Sequence, residues 1–356
     1  MKHFILTSAL ALSCLGLHAQ SEEGIRYALP MTAMHFTVTF EKTVYTPGEY
    51  AEYTRRFLRK DVSLQPQTTY RILDIKMVPK AVIDTSKQFT LLLDKKRSIT
   101  TVDRTADGRL LAINTTNPAA KNADDALACN TVTLSGQHAA PLNPRDYMTE
   151  DILRAGSTAK MAELSAQEIY DIRDSRNTLS RGEADNLPKD GTQLRMMYNH
   201  LDLQEQALTQ LFEGITVKDT LATSFDFIPR KEGKTVLFRF GKQLGLVGSD
   251  DLGGEPYYLT IVDTHKGIAP APVAEEDKKK EDKNDIGLRT ALPGKATATL
   301  SSLNGTVDSY ELLLPQFGTV ENLSGELFGK KLSAQLILDP ITGAVISVEQ
   351  FTPDNK

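Results

Sequence analysis

Tryptophan is absent from this chain of 356 residues, and cysteine occurs only twice. Cys14 lies in an apolar leader, so Cys129 is the one thiol that remains if the leader is removed. A chain with a single thiol cannot form an internal disulfide, even in an oxidising compartment. Stability must then come from packing, for which a hydrophobic content of 40% can supply ordinary cores.

Long apolar runs are missing beyond the first nineteen residues. That leader has a charged start at Lys2, an apolar run from Phe4 to Leu17 and a small residue at Ala19. This pattern is typical of a secretory signal, and the run is shorter than the roughly 20 residues that a membrane-spanning helix needs. We therefore expect cleavage before Gln20 and a mature chain with no transmembrane segment.

A second route of maturation is left open by Cys14, which could carry a lipid anchor. A lipobox places a large aliphatic residue three positions before its cysteine, whereas Leu12 stands two positions before Cys14. Either route predicts an exported protein, located in the periplasm or at the cell surface.

Strong charge of either sign is also lacking, since the formal net charge is -5. A nucleic-acid binder needs a basic surface stripe that displaces phosphate counterions, so we expect no nucleic-acid partner. No pair of histidines stands at a metal-ligand spacing, and no glycine-rich phosphate loop occurs, so no metal and no cofactor are predicted. The histidines of the mature chain are His35, His138, His200 and His265.

Alternation of side-chain type predicts β-structure on both sides of a helical section. Met34, Phe36, Val38 and Phe40 alternate with polar residues, which is the period-two pattern of a half-buried strand. The order strand, helix, strand differs from that of alternating βαβ units. The predicted fold class is therefore α+β, with mainly antiparallel β domains and a central long α-helical hairpin.

The central section predicts two helices that fold back on each other. Asp190 is placed to cap the second helix and Gly214 to end it, while the first helix closes at Gly182. Antiparallel packing would bury the leucine and methionine stripes face to face. The stripe of the second helix is an a/d register formed by Leu194, Met197, Leu201, Gln204, Leu208 and Leu211.

Composition also divides the chain into domains. One loop combines prolines with charges of both signs and no aromatic residue, and this composition predicts disorder. The predicted divisions are a signal peptide at 1–19, an N-terminal β-rich domain at 20–145, the helical hairpin at 146–213 and a C-terminal β-rich domain at 214–356, which contains the disordered loop at 269–285.

A catalytic motif is imitated by Ser157 and Lys160, whose spacing matches the SxxK of penicillin-interacting serine enzymes. The second motif of those enzymes could only be sought at Ser175, on the same predicted helix and about 27 Å away at ~1.5 Å per residue. That separation is too large for one site. We interpret the pair as an ordinary helix surface.

A calcium loop of the EF-hand type is imitated by Asp103, Asp107 and Gly108. The twelfth position of such a loop should be a bidentate glutamate, and here it is Asn114. The flanking segments alternate as strands. Asp107 and Gly108 therefore predict the turn of a β-hairpin.

Four segments of the chain share a pattern with a known family. They are Pro47, Gly48, Tyr50, Ala51 and Tyr53, the helical run from Glu150 through Lys160, Ala162, Glu163, Ile169, Tyr170, Arg173 and Arg176, the loop Asn186, Leu187, Pro188, Asp190 and Gly191, and Gln316, Phe317 and Gly318. Together they resemble an uncharacterised secreted family of Bacteroidetes bacteria, classed as a domain of unknown function. The resemblance covers most of the mature chain and implies a Gram-negative envelope location, but no activity. One departure is Arg59, where the family pattern implies a glycine that closes a short helix predicted at Glu49 to Lys60.

No coherent catalytic constellation emerges from these residues. We therefore hypothesise an exported envelope protein with a non-catalytic binding or scaffolding role, whose partner is an unknown envelope protein or glycan. The alternative is a cell-wall or glycan hydrolase whose acidic site is not visible in sequence. The candidate interaction surface is the loop between the helices, at Asn186, Leu187, Pro188, Asp190 and Gly191, although Asp190 and Gly191 also have a plain structural role in starting the second helix.

Overall fold

The computed structural model describes residues 24–94, 96–119, 132–133, 142–184, 190–264 and 284–353. Strands dominate both ends of this part of the chain, and helices dominate its middle. All the strand pairings are antiparallel apart from one isolated bridge between Ala28 and Arg109. The predicted α+β, β-rich fold class is confirmed.

The strands form three antiparallel sheets. Their orders are β2-β1-β6-β5, β11-β10-β9-β7-β8 and β13-β12-β4-β3. We call these the first, second and third sheets. The strands are β1 (Gly24–Thr46), β2 (Gln67–Leu92), β3 (Val102–Arg104), β4 (Leu110–Ile113), β5 (Val132–Thr133), β6 (Ile215–Phe227), β7 (Gly233–Gly241), β8 (Gly245–Val247), β9 (Glu255–Asp263), β10 (Asp285–Ser302), β11 (Gly305–Ser324), β12 (Ser333–Leu338) and β13 (Val345–Phe351).

The first two sheets pack face to face. Met34 and Phe36 on β1 meet Leu259 on β9 and Ala298 on β10 in one core cluster. The predicted alternation on β1 is confirmed, since Met34, Phe36, Val38 and Phe40 are all buried. Burial of this apolar face is what orders the strands, because each fully buried large side chain contributes about 1.5–3 kcal/mol.

Another core lies where the third sheet packs against the ends of β1, β2 and β10. β4 comes from the segment predicted as the N-terminal domain, and its partner β12 comes from the segment predicted as the C-terminal domain. β1 and β6 pair across the same division. The division at 145 and 214 stays a prediction, and strands from both sides of it share sheets.

The strand β2 is long and continuous, and its pairing with β1 shifts in register between Ala28 and Pro30 of β1. Asp84 stabilises the bulge, because its carboxylate accepts hydrogen bonds from the backbone nitrogen and the hydroxyl of Ser86. The bulge therefore lets β2 remain paired with β1 on both sides of the register shift.

Helices occupy the middle of the chain. Gly182 adopts a left-handed φ of 74° after α3, and the Asp190 side chain caps α4 by accepting from Thr192 N at 3.0 Å. The predicted start of α4 at Asp190 and its end before Gly214 are confirmed. The helices are α1 (Thr54–Phe57), α2 (Glu150–Leu153), α3 (Thr158–Arg181) and α4 (Gly191–Glu213).

The end of α4 rests on the short segment before α1. Gly48 lies so close to α4 that a Cβ added there would be 2.2 Å from the Leu211 carbonyl oxygen. Tyr50 N donates to that oxygen at 2.6 Å, and Thr54 Oγ1 donates to the Phe212 carbonyl at 2.8 Å. These bonds satisfy carbonyls that a helix end leaves without intrahelical partners.

Arg59 has a φ of 59°, the left-handed conformation that glycine adopts most readily. It directly follows Leu58, the C-cap of α1. The backbone thus adopts the glycine-like turn that the resemblance implies, with an arginine in place of the glycine.

Membrane insertion through a helix finds no support in the described ranges. None of the helices there combines the length and apolarity that a bilayer crossing demands.

Candidate functional site

The predicted interaction loop lies between the ends of α3 and α4. Asn186, Leu187 and Pro188 fall outside the described residues. Asp190 is the N-cap of α4, and Gly191 is its first residue. These two residues therefore have a structural role, and the described surface beside the loop is formed by the facing ends of the helices.

The two helices contact each other in antiparallel order. Ala162 and Ile169 on α3 share a core cluster with Leu208 and Phe212 on α4. Further along, Arg173 Nε donates to Glu205 Oε1 at 2.6 Å. Contacts that run down one helix and up the other are those of an antiparallel pair.

Interhelical ion pairs continue this contact toward the loop. Arg176 donates to Asp202 Oδ1 at 2.6 Å and also to Glu205. These side chains are partly exposed, with 36% of Arg176 and 54% of Asp202 accessible, so each pair stabilises the fold by at most about 1 kcal/mol. Their main effect is to fix the register of α3 against α4.

Burial along the α4 stripe changes between its two ends. Leu208 and Leu211 are buried as the a/d register predicts, but Met197 is 40% exposed. The prediction that Met197 fills the seam is therefore wrong. On the facing helix, the short side chains of Ser175 and Thr178 line the space beside Met197.

An open groove results at this end of the helix pair, with a volume of about 420 Å³. We call it the tip groove. Its lining is mainly apolar, and its buried floor is provided by Leu179. Its lining residues are Asp174, Ser175, Thr178, Leu179, Ala184, Met197, His200 and Leu201. Ala184 is the last described residue before the predicted interaction loop, so the groove borders that loop.

Charge at the tip groove comes from one carboxylate. Asp174 is exposed and forms no ion pair within the described part of the chain. His200 lines the groove from α4 and is likewise exposed. An apolar floor beside an unpaired carboxylate suits an apolar side chain accompanied by a cation.

Ser157 and Lys160, which have the SxxK spacing, lie at the start of α3, where Ser157 is the N-cap. Ser157 Oγ accepts from Lys160 N at 3.3 Å, and Lys160 Nζ pairs with Glu163 at 3.0 Å. The lysine is therefore turned toward the carboxylate one turn ahead. This arrangement is that of an ordinary N-cap followed by a surface ion pair.

The calcium-loop imitation is a hairpin turn between β3 and β4. Gly108 has a φ of 96°, and Asp107 accepts from Arg109 Nε at 2.8 Å. Among the described residues, no three histidine, cysteine, aspartate or glutamate side chains converge as metal ligands would.

A histidine and a carboxylate that are distant in sequence meet on the first sheet. His35 Nδ1 lies 2.5 Å from Asp226 Oδ1, and Lys80 Nζ lies 3.0 Å from Asp226 Oδ2. Burial alone would raise the pKa of Asp226, but the hydrogen bonds from His35 and Lys80 outweigh it and lower that pKa. The Nε2 atom of His35 is buried without a hydrogen-bond partner, so the ring has no open path to a ligand. This cross-strand link escaped the sequence reasoning because no local pattern marks it.

A charged pocket lies beside α3 and α4 and bears on the hydrolase alternative. It is lined by the cations Lys60, Arg173 and Arg176 and by three carboxylates that pair with them, namely Asp202, Glu205 and Glu213. The pKa of Glu168 is raised mainly by burial and to a smaller extent by the negative charge of Asp171. Glu168 lines neither that pocket nor the tip groove. Neither of these two pockets, in the described part of the chain, brings together a pair of unpaired carboxylates such as a glycosidase requires.

Comparison with known proteins decides the family. A family profile described as domain of unknown function DUF4831 matches residues 23–346. The chain belongs to the DUF4831 family. The match covers the helices and all the strands except most of β13, so the tip groove is part of a DUF4831 domain. No curated protein matches the chain. No solved structure matches it either.

Proposed function

We propose that this chain is an exported, non-catalytic binding protein of a Gram-negative envelope, and that it recognises a partner protein through the tip groove. The observation that carries the proposal is the unfilled seam at the tip of α3 and α4. Among the residues that the structure describes, no further apolar side chain fills the space between the exposed Met197 and the buried Leu179 there. The leader at 1–19 supports export.

The occupant that fits the tip groove is a protein segment with an apolar anchor and a neighbouring Lys or Arg. The anchor would contact Met197 and Leu179, and the cation would pair with Asp174. Methionine is suited to such a surface because its flexible, polarisable side chain adapts to anchors of different shape. A volume of about 420 Å³ accommodates one or two large side chains.

The test begins with a random-peptide library, selected on the full mature chain. We expect enriched peptides to place a Leu, Ile or Phe beside a Lys or Arg. Their affinities are then measured for two matched variants. Met197→Glu puts a charge into the tip groove, whereas Met196→Glu puts the same charge on the adjacent residue, which is 67% exposed and does not line the groove.

Met197→Glu should weaken the selected peptides by about tenfold or more, because it brings a charge against an apolar anchor. Met196→Glu should leave affinity within about twofold, as peripheral charges contribute little. Asp174→Lys should weaken peptides that contain a cation, while Asp171→Lys on the same helix should not. Equal effects of the paired variants would refute the groove as the binding surface.

A further inference from the structure

A second pocket lies at one end of the two packed sheets, remote in sequence from the tip groove. It has a volume of about 510 Å³ and is formed by the start of β2, the turn after β7 and the start of β9. We call it the sheet-end pocket. Its lining residues are Tyr70, Arg71, Ile72, Phe240, Gly241, Lys242, Gly253, Glu255 and Tyr257.

The pocket has a fixed frame. Tyr70 N donates to the carbonyl of Lys242 at 2.7 Å, which joins the first sheet to the β7–β8 turn of the second. The ring of Tyr70 is backed by Gly245, where an added Cβ would lie 3.1 Å from the ring. Phe40 lies behind, with ring centroids 6.2 Å from Tyr70 and 5.9 Å from Phe240. A frame held by backbone and packed rings is preorganised for a ligand.

Aromatic surface forms one wall of the pocket. The Tyr257 ring stacks on Phe238 at 4.6 Å and 12°, which holds its plane in place. The pKa of Tyr257 is raised mainly by burial and to a smaller extent by the negative charge of Glu255. Its hydroxyl therefore stays protonated and can donate a hydrogen bond. Neither Tyr70 nor Tyr257 uses its hydroxyl in a hydrogen bond within the described ranges. Both half-buried residues therefore keep a polar group available.

The charged groups at the rim carry both signs. Lys242 and Glu255 are exposed and form no ion pair in the described part of the chain. Arg71 makes a loose contact with Glu41 at 3.6 Å, and 71% of its side chain is accessible. The lining therefore offers two cations, one carboxylate and two phenol hydroxyls.

These groups define the ligand by its chemistry. Two cations favour one carboxylate on the ligand, since Arg and Lys form charge-assisted hydrogen bonds with it. Glu255 would repel a compact anion such as phosphate but accepts hydrogen bonds from hydroxyl groups. Tyrosine faces pack against the C–H groups of a ring. From this combination we propose that the sheet-end pocket binds an acidic saccharide, a sugar chain that carries carboxylate groups.

Binding without hydrolysis is the activity that this pocket supports. Glu255 is the one carboxylate among its lining residues. Glycosidases require two carboxyl groups that flank the scissile bond. The pocket would therefore hold an acidic saccharide unchanged, independently of any protein bound at the tip groove.

The test uses calorimetric titration of the full mature chain with three probes. These are triglucuronic acid with β-1,4 linkages, cellotriose as the neutral sugar with the same linkages, and inorganic phosphate. We expect triglucuronic acid to bind at least about tenfold more tightly than either of the other two, since only it satisfies both the cations and Glu255. Equal binding of cellotriose would refute the proposal that the two cations recognise a carboxylate. Equal binding of phosphate would refute the proposal that the pocket recognises a sugar. No heat with any probe at millimolar concentration would overturn the proposal.

Variants locate the binding. Lys242→Glu should weaken triglucuronic acid by about tenfold, because it exchanges attraction for repulsion. The matched control is Lys331→Glu, an exposed lysine in the turn before β12 and outside the sheet-end pocket. Tyr257→Phe keeps the stacking on Phe238 and removes only the hydroxyl, so it should weaken binding by a few fold. An unchanged affinity in Lys242→Glu, with correct folding shown by circular dichroism, would refute this location.

Discussion

Asn114 ties three parts of the third sheet together, and its replacement should be costly. It is 9% exposed and has a φ of 60°, at the end of β4. Its Oδ1 accepts from Thr100 N at 2.8 Å, while its Nδ2 donates to the carbonyls of Ser98 and Ala334, each at 2.9 Å. Asn114→Ala would leave the partly buried Thr100 N and the buried Ala334 carbonyl without these bonds, whereas the Ser98 carbonyl keeps a hydrogen bond from Ser333 Oγ at 2.9 Å.

The magnitude follows from the two groups that lose their bonds. Each costs about 1 kcal/mol, so Asn114→Ala should lower the free energy of unfolding by roughly 2 kcal/mol. Asn114→Gly loses the same bonds but relieves the left-handed backbone. It should therefore be more stable than the alanine variant by about 1 kcal/mol.

Urea unfolding followed by circular dichroism measures both values, and hydrogen exchange of β4 and β12 shows whether the loss is local. Asn114→Asp, which keeps the acceptor and replaces the donor with a buried charge, serves as a further comparison. A loss below about 1 kcal/mol for Asn114→Ala would show that these bonds do not hold the third sheet together.

Three further predictions concern stability and maturation. Arg59→Gly should raise the free energy of unfolding by about 0.5–1 kcal/mol in a urea titration while Arg59→Ala does not, because only glycine relieves the left-handed φ; equal midpoints would contradict this. Hydrogen bonds from Arg289 outweigh burial and lower the pKa of Asp285, so its ionised form stabilises the fold above the ordinary value of 3.8, and this stabilisation is lost as pH falls through the lowered value. The difference in urea midpoint between wild type and Asp285→Asn should then shrink on acidification, and a constant difference would refute the assignment. Mass spectrometry of the exported protein should find Gln20 as the first residue. A lipidated Cys14 as the first residue would instead establish the lipid-anchored route.

Local signals predicted the end of α3 and both ends of α4, but not the break between α2 and the start of α3 at Thr158. Asp190 and Gly182 act through bonds and backbone angles within a few residues of themselves, so their type and position were enough. The hairpin turn at Gly108 belongs to the same class. The left-handed backbone at Arg59 followed from the resemblance, because a family pattern with glycine there implies that turn.

Features that depend on a distant partner could not be predicted. The a/d register showed which side of α4 faces α3, but not that Met197 stays partly exposed beside the short side chains of Ser175 and Thr178. The bulge in β2 becomes visible only against the register of β1. The contact between His35 and Asp226 joins residues that are 191 positions apart, and no pattern within one strand indicates it.

The sheet-end pocket belongs to this second class. Its walls come from β2 of the first sheet and from β7 and β9 of the second sheet, and β2 is far in sequence from the other two strands. The pocket forms where the two sheets meet at their ends. Sheet pairing decides that position, and sheet pairing is non-local.

The central claim is that the open seam between α3 and α4 binds a protein segment. The most direct measurement is a methyl NMR titration of the mature chain, labelled with 13C at the methionine methyl groups, against a peptide selected on the wild-type protein. We predict that the Met197 signal shifts progressively and saturates, while that of Met196, the adjacent residue outside the tip groove, changes little. A saturating shift at Met196 with none at Met197, or no methionine shift while the peptide binds, would contradict the claim.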